Sequence, residues 1–97
     1  MDTLKKGLNN FIKLCAQCKD EKMLLSLFDL FFTEEEKDDL SLRCLIVHNL
    51  LKNKQVQRKI AKDLNVSIAK ITRGSNALKR IDTKLLTYLK NMRHCRR

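Results

Sequence analysis

Apolar residues recur every three or four positions at the start of the chain, as in the stripe Leu4, Leu8 and Phe11. That spacing is the period of one face of an α-helix. A polar break at residues 19–22 separates this helix from a second one. Residues 23–32 of that helix are mostly apolar, with Asp29 as an interruption, and the helix is predicted to be buried. A helix needs about 20 apolar residues to cross a bilayer, so this stretch is too short to span a membrane.

A third helix is predicted to begin at Thr33, which with Glu36 forms the sequence pattern of a capping box. Its second half, residues 40–51, is apolar around almost the full circumference, and such a helix must be buried on all sides. A chain of 97 residues offers little material to do this. We therefore expect a homodimer with interleaved helices, and the alternative is a central helix within a monomeric bundle.

The region of about 57–76 has the pattern of a helix-turn-helix. Ile60 lies on the inner face of the first helix and Ile71 on the inner face of the second. Asn65 suits the turn because asparagine tolerates a left-handed backbone, and Ser67 can cap the second helix. In such motifs the second helix enters the DNA major groove while the first crosses the backbone. Many helical hairpins share this pattern, so taken alone it is only moderately specific.

A last helix is predicted from Asp82, as its N-cap, to about His94. The composition agrees with helices throughout, because the chain has no proline, only two glycines and few aromatic residues. The predicted fold class is all-α: a six-helix intertwined homodimer with a helix-turn-helix DNA-binding motif. Each chain, residues 1–97, is expected to form a single domain.

Positive charge is concentrated in the second half of the sequence. Residues 52–97 carry 14 Lys and Arg and two acidic residues, a net charge of +12. Residues 1–51 carry seven Lys and Arg and nine acidic residues, a net charge of −2. This asymmetry indicates a surface that binds a polyanion. Nucleic acid is favoured over a merely solvated basic face, and a membrane is not expected because the outward face lacks apolar and aromatic side chains for insertion.

Other chemistry has little support in the sequence. No secretory signal is recognised, so a cytoplasmic location with reduced thiols is expected. A zinc site would require Cys15 and Cys18 to converge with His94 and Cys95, and a core role for Cys15 is favoured, so no metal is expected. Nothing in the sequence brings together a nucleophile, a base and an orienting group, so the chain is not expected to be an enzyme.

Residues 68–79, IAKITRGSNALK, resemble the recognition-helix signature of the bacterial Trp repressor family, above all in the core Thr-Arg-Gly-Ser-Asn. The similarity extends over about residues 11–89. It implies an intertwined helical homodimer in the bacterial cytoplasm. Such a protein binds operator double-stranded DNA and represses transcription when L-tryptophan is bound as the corepressor.

The resemblance also implies a ligand site. Arg43 and Arg73 would stack their guanidinium groups on the two faces of the indole. Thr33 and Arg73 would receive the ligand carboxylate. Backbone carbonyls near Leu30 and Phe32 would take its ammonium group. The residues alone also allow other roles. Arg43 could form a salt bridge or reach solvent, and Thr33 could simply cap a helix.

Three positions on the predicted second helix of the motif also bear on ligand or DNA binding. Gly74 would let the backbone approach the ligand, although close helix crossing explains a glycine as well. Ala77 stands where family members usually have a serine that helps hold the ammonium, and one such hydrogen bond contributes about 1–3 kcal/mol. Lys70 stands where they usually have threonine, and a lysine would add a phosphate contact or read a guanine.

Candidates for DNA contact lie at the start of the first helix of the motif and along the second. For the DNA backbone they are Gln57, Arg58, Ser75, Asn76 and Lys79, and for the groove they are Ile68, Ala69, Lys70 and Thr72. The alternative function is a ligand-independent nucleic-acid-binding module.

Overall fold

The computed structural model describes residues 2–52 and 56–92, and over these ranges the chain forms six α-helices and no strand, which confirms the all-α prediction. The helices are α1 (Asp2–Gln17), α2 (Glu21–Phe31), α3 (Glu34–Lys52), α4 (Gln57–Leu64), α5 (Ile68–Leu78) and α6 (Thr83–Met92). The chain divides into two compact units, Met1–Asp38 and Asp39–Arg97, with the boundary inside α3. The predicted end of the last helix at His94 lies outside the described residues.

An aromatic cluster joins α1 and α2 in the first unit. The ring of Phe11 lies 5.9 Å from that of Phe28, 5.3 Å from that of Phe31 and 5.7 Å from that of Phe32, measured between centroids. Two of these pairs are edge-to-face, the geometry that aromatic quadrupoles favour. In this cluster one α1 residue contacts the last turn of α2 and the residue after it.

The prediction that the second helix is buried is wrong for the single chain. Several apolar side chains of α2 are exposed, and Leu30 is 76% exposed. The physical reason is the small amount of material in the first unit: its described residues beyond α2 are few, and they leave several α2 side chains exposed. Leu4 and Leu8, which share the apolar stripe of α1 with Phe11, are exposed as well.

The capping box at the start of α3 is confirmed. The Glu36 amide donates to the Thr33 hydroxyl at 3.1 Å, and the Thr33 amide donates to the Glu36 carboxylate at 2.9 Å. Lys37 on the next position binds the Asp29 carboxylate of α2 and, at 2.9 Å, that of Glu34. The hydrogen bond to Asp29, followed by that to Glu34, raises the pKa of Lys37 above its ordinary value of 10.5.

A small core holds the second unit together. Its buried members come from three helices: Ile46 of α3, Ile60 and Ala61 of α4, and Ile71 of α5. Half-buried apolar residues pack around them, namely Leu42, Leu50, Leu64 and Val66. The inward positions predicted for the two helices of the motif are therefore confirmed.

The turn between α4 and α5 has the predicted local chemistry. Asn65 adopts a left-handed backbone with φ 57° and ψ 49°. The amide of Val66 donates to the Ala61 carbonyl at 3.0 Å, which closes the end of α4. The Ser67 hydroxyl accepts from the Lys70 amide at 3.3 Å and caps α5. The second helix ends at Leu78, slightly beyond the predicted end at residue 76.

The second half of α3 is not buried all round in the single chain. Ile46 is buried, whereas Leu40, Cys44 and Leu45 are exposed. Cover from a partner chain therefore stays a prediction. At the start of α6 the Leu85 amide donates to the Asp82 carboxylate at 2.8 Å, which confirms the predicted cap.

Across residues 2–52 and 56–92, every helix is too short or too polar to cross a bilayer. In the same ranges no group of three His, Cys, Asp or Glu side chains is placed to hold a metal ion. Cys15 and Cys18 are half-buried free thiols, while His94 and Cys95 lie outside the described residues.

Candidate functional site

A cleft of about 450 Å³ opens between α3 and α5 in the second unit. This volume falls in the range of about 300–1,000 Å³ that is typical of small-molecule sites. The lining residues of α3 are Asp39, Leu42, Arg43, Ile46 and Val47, and those of α5 are Lys70, Arg73, Gly74 and Ala77. The cleft thus has apolar walls and four charged side chains.

The two helices come close together at Gly74. A Cβ atom added there would lie 3.0 Å from Cγ2 of Ile46 and 3.5 Å from Cδ1 of Leu50. The φ angle of Gly74 is not positive, so glycine is favoured here by the crowding against Ile46 rather than by its backbone conformation. Close helix crossing therefore accounts for Gly74, and the same residue also lines the cleft.

The two arginines predicted to bind the ligand line the same cleft from different helices. Arg43 projects from α3 and Arg73 from α5, and both are exposed. Within the described ranges the ion pairs involve Lys37 and Lys59, and neither arginine forms one. The salt-bridge interpretation of Arg43 is therefore not observed, and the two arginines contribute to the lining of one cleft.

Asp39 and Lys70 line the cleft as well, although neither was predicted to be part of a ligand site. Asp39 precedes Arg43 by four residues, and side chains at that spacing lie on the same face of a helix. This spacing was a signal for Asp39 that the sequence already contained. Lys70 was predicted to contact DNA, and the structure adds that it also borders the cleft at the start of α5.

The remaining predicted ligand residues belong to the first unit. Leu30 lies in the last turn of α2, and the amide of Phe32 donates to the Phe28 carbonyl at 2.8 Å. Thr33 uses its hydroxyl to cap α3. Like any helix, α2 leaves its last carbonyl groups without helical partners and has the negative end of its dipole there.

The predicted DNA-contact residues lie mostly on exposed surface of α4 and α5. Ile68, Ala69 and Lys70 form the first turn of α5 and are all exposed. Thr72 donates its hydroxyl hydrogen to the side-chain oxygen of Gln57 at 2.8 Å, a hydrogen bond that joins the two helices. The other predicted contacts are the exposed Arg58, Asn76 and Lys79 and the half-buried Ser75.

Positive charge dominates this surface. The exposed cations of α4, α5 and the turn that follows are Arg58, Lys59, Lys62, Lys70, Arg73, Lys79 and Arg80. Among the described residues of these two helices, Asp63 is the one acid, and it pairs with Lys59 at 3.2 Å. The hairpin of α4 and α5 is therefore a basic surface that lies next to the cleft, since α5 contributes to both.

These features define a small helical protein with a ligand-sized cleft beside a basic helical hairpin. The sequence profile of the Trp repressor protein family matches residues 6–93. The chain therefore belongs to the Trp repressor family, as the resemblance indicated.

Individual relatives support the same assignment over most of their length. A Trp operon repressor homolog of Chlamydia caviae is 44% identical over 88 residues, which cover 91% of this chain and 87% of the relative. The homolog of Chlamydia trachomatis serovar D is 42% identical over 85 residues, 88% and 90% of the two chains. The homolog of Haemophilus influenzae is 34% identical over 82 residues, which cover 84% of this chain and 81% of the relative.

Proposed function

We propose that this chain is a Trp operon repressor: a homodimeric transcriptional repressor that binds operator DNA when L-tryptophan occupies the cleft. The observation that carries the proposal is the cleft between α3 and α5, which two arginines line from separate helices. Membership of the Trp repressor family supports the same function. Such a regulator acts in the bacterial cytoplasm and has neither a catalytic role nor a metal cofactor.

The chemistry of the cleft suits an aromatic amino acid. Guanidinium planes attract aromatic faces through cation–π interaction and planar stacking, so Arg43 and Arg73 are proposed to hold the indole between them. The apolar side chains of Leu42 and Val47 offer contact to the ring. A ligand carboxylate is complementary to the positive charge of Arg73.

Residues of the first unit complete the proposed ligand set. The carbonyl groups at the end of α2, near Leu30 and Phe32, form the negative end of a helix dipole and suit the ligand ammonium group. No basic residue occupies that last turn. The Thr33 hydroxyl is proposed as a partner of the carboxylate. Gly74 and Ala77 in the cleft complete the set, and there they leave room for the ligand.

The helical hairpin of α4 and α5 is proposed to be the helix-turn-helix, over about residues 57–76. Its second helix would enter the major groove while the first crosses the backbone. The exposed cations of this surface suit phosphate groups. The proposed contacts to DNA are Gln57, Arg58, Ile68, Ala69, Lys70, Thr72, Ser75, Asn76 and Lys79.

The exposed apolar surface of the chain supports a homodimer. Monomeric proteins rarely expose large contiguous apolar patches, yet α1, α2 and α3 all expose leucines. A second copy of a 97-residue chain would cover such faces. The two copies, each a single domain in the assembled dimer, would then present two recognition helices to one palindromic operator.

Ligand gating follows because α5 contributes both to the cleft and to the basic surface of the hairpin. L-tryptophan held between Arg43 and Arg73 would brace α5 against α3 and favour one orientation of the hairpin. In a dimer this would hold the recognition helices at the separation of two successive major grooves, about 34 Å. Without the ligand the two helices would be poorly spaced for the operator.

Ligand binding is tested by fluorescence, because the chain contains no tryptophan and indole emission reports the ligand alone. We expect the emission of L-tryptophan to change on titration with the protein and to saturate. Replacing Arg43 with lysine removes the planar group and should weaken binding by about 1 kcal/mol, or roughly fivefold. Arg58→Lys, on α4 outside the cleft, is the matched control and should bind like the wild type.

DNA binding is tested by selection from a library of random duplexes at fixed salt, with and without L-tryptophan. The proposal expects palindromic sequences, with half-sites about one helical turn apart, to be enriched only when the ligand is present. Equal binding in both conditions with no enriched sequence would instead support a ligand-independent nucleic-acid-binding module. The affinity of such a module for DNA comes from phosphate contacts and varies with salt, not with tryptophan or sequence.

A further inference from the structure

We propose that the Asp39 carboxylate is a further acceptor for the α-ammonium group of the ligand, beside the carbonyl groups proposed near Leu30 and Phe32, and that its charge makes the cleft selective for amino acids over simple carboxylic acids. The proposal rests on the function proposed above, because it assigns a further residue of the same cleft. It concerns which ligands enter the cleft rather than whether the protein represses transcription.

Asp39 is placed to meet a ligand that lies against Arg43. Both residues line the cleft, and their spacing of four puts them on one face of α3, a helical turn apart. Across residues 2–52 and 56–92 no ion pair or hydrogen bond engages the Asp39 side chain. Its oxygens are therefore available as acceptors at the edge of the cleft.

The charge of the cleft creates a need for such an acceptor. Arg43, Lys70 and Arg73 contribute three positive charges to the lining. They attract a carboxylate but repel an ammonium group, so by themselves they favour an aromatic acid over an α-amino acid. Among the described lining residues Asp39 contributes the one negative charge, and it can offset that repulsion for a zwitterion.

The facing helix supplies no comparable group. Ala77 lines the cleft from α5 and has no hydroxyl group, and Gly74 has no side chain at all. Apart from Arg43, the other α3 residues of the lining are apolar, namely Leu42, Ile46 and Val47. Of the side chains that line the cleft, Asp39 is therefore the one that can accept a hydrogen bond from an ammonium group and also carries the opposite charge.

The test compares two ligands that differ by one group. Indole-3-propionate has the ring, chain length and carboxylate of L-tryptophan but no ammonium group. Dissociation constants of both ligands are measured by calorimetry for the wild type and for Asp39→Asn. Asp38→Asn is the matched control, because it removes the same charge one position away and Asp38 does not line the cleft. Thermal melting checks that each variant folds.

Asp39→Asn is expected to weaken L-tryptophan binding by about tenfold and to leave indole-3-propionate unchanged or tighter. Asp38→Asn should change neither affinity. If both ligands bind the wild type and Asp39→Asn shifts them equally or not at all, the role of Asp39 is refuted while the proposed function stands. If neither ligand binds the wild type, the proposed function fails and this inference fails with it.

Discussion

Gly74 of α5 lies directly against Ile46 of α3, so that an added Cβ would come within 3.0 Å of the isoleucine Cγ2. Ile46 is buried and β-branched, and it has little freedom to move away. Gly74→Ala should therefore destabilise the protein by about 1–2 kcal/mol through overpacking, despite the better helix propensity of alanine. Urea unfolding at fixed protein concentration measures the difference.

Gly7 provides the control for that substitution. It lies within α1, and a Cβ there would meet nothing within 4 Å. Gly7→Ala should stabilise the chain by about 0.5–1 kcal/mol, because the same change then acts through helix propensity alone. A stabilising effect of equal size at Gly74 would contradict the steric role of the contact with Ile46.

A hydroxyl group introduced at Ala77 should strengthen ligand binding. The side chain lines the cleft, and one added hydrogen bond to a charged group contributes about 1.5 kcal/mol, or roughly tenfold in affinity. The L-tryptophan affinity of Ala77→Ser, measured by indole fluorescence, is expected to rise by that factor. Ala69→Ser adds the same group on α5 away from the cleft and should have no effect; equal effects at both positions would count against the proposed ligand pose.

The pH dependence of stability should have an alkaline component from Lys37. Its folded-state pKa is raised above 10.5 by the hydrogen bonds to Asp29 and Glu34. The protonated lysine therefore stabilises the fold below pH 10.5, and this contribution is lost as the pH rises through the folded-state pKa. As the pH rises across that range, the melting temperature of the wild type should fall more steeply than that of Lys37→Met. Parallel curves would exclude a contribution from these ion pairs.

The turn between α4 and α5 depends on the left-handed conformation of Asn65. An alanine there would strain the backbone, and Asn65→Ala should lower the free energy of unfolding by about 1 kcal/mol. Asn65→Gly removes the side chain without that strain and should be close to neutral. Chemical unfolding distinguishes them, and similar losses in the two variants would show that the asparagine side chain, rather than the backbone, sustains the turn.

The sequence predicted the local chemistry of the fold well. The caps at Thr33, Ser67 and Asp82 and the left-handed turn at Asn65 all occur as expected. Each depends on a hydrogen bond or a backbone preference within three or four residues, so the neighbouring sequence contains the whole cause.

Burial and the membership of the cleft were harder to predict. The hydrophobic character of α2 is evident in the sequence, but how much of it a single chain covers depends on the amount of material around it. Asp39 looked like one of several acids near the start of α3. Its place in the cleft is decided by the face of α3 against which α5 packs, and that packing depends on the contact between Gly74 and Ile46, which are 28 positions apart in the sequence.

The hydrogen bond from Thr72 to Gln57 bears on the kinetics of the proposed repressor. Two side chains proposed to meet DNA already hold one another by this hydrogen bond, so less of their freedom is lost when the complex forms. Ordering a flexible side chain at an interface costs about 0.5–1.5 kcal/mol. This preformed pair should therefore slow dissociation from the operator once the ligand is in place, and repression would then outlast brief falls in tryptophan supply.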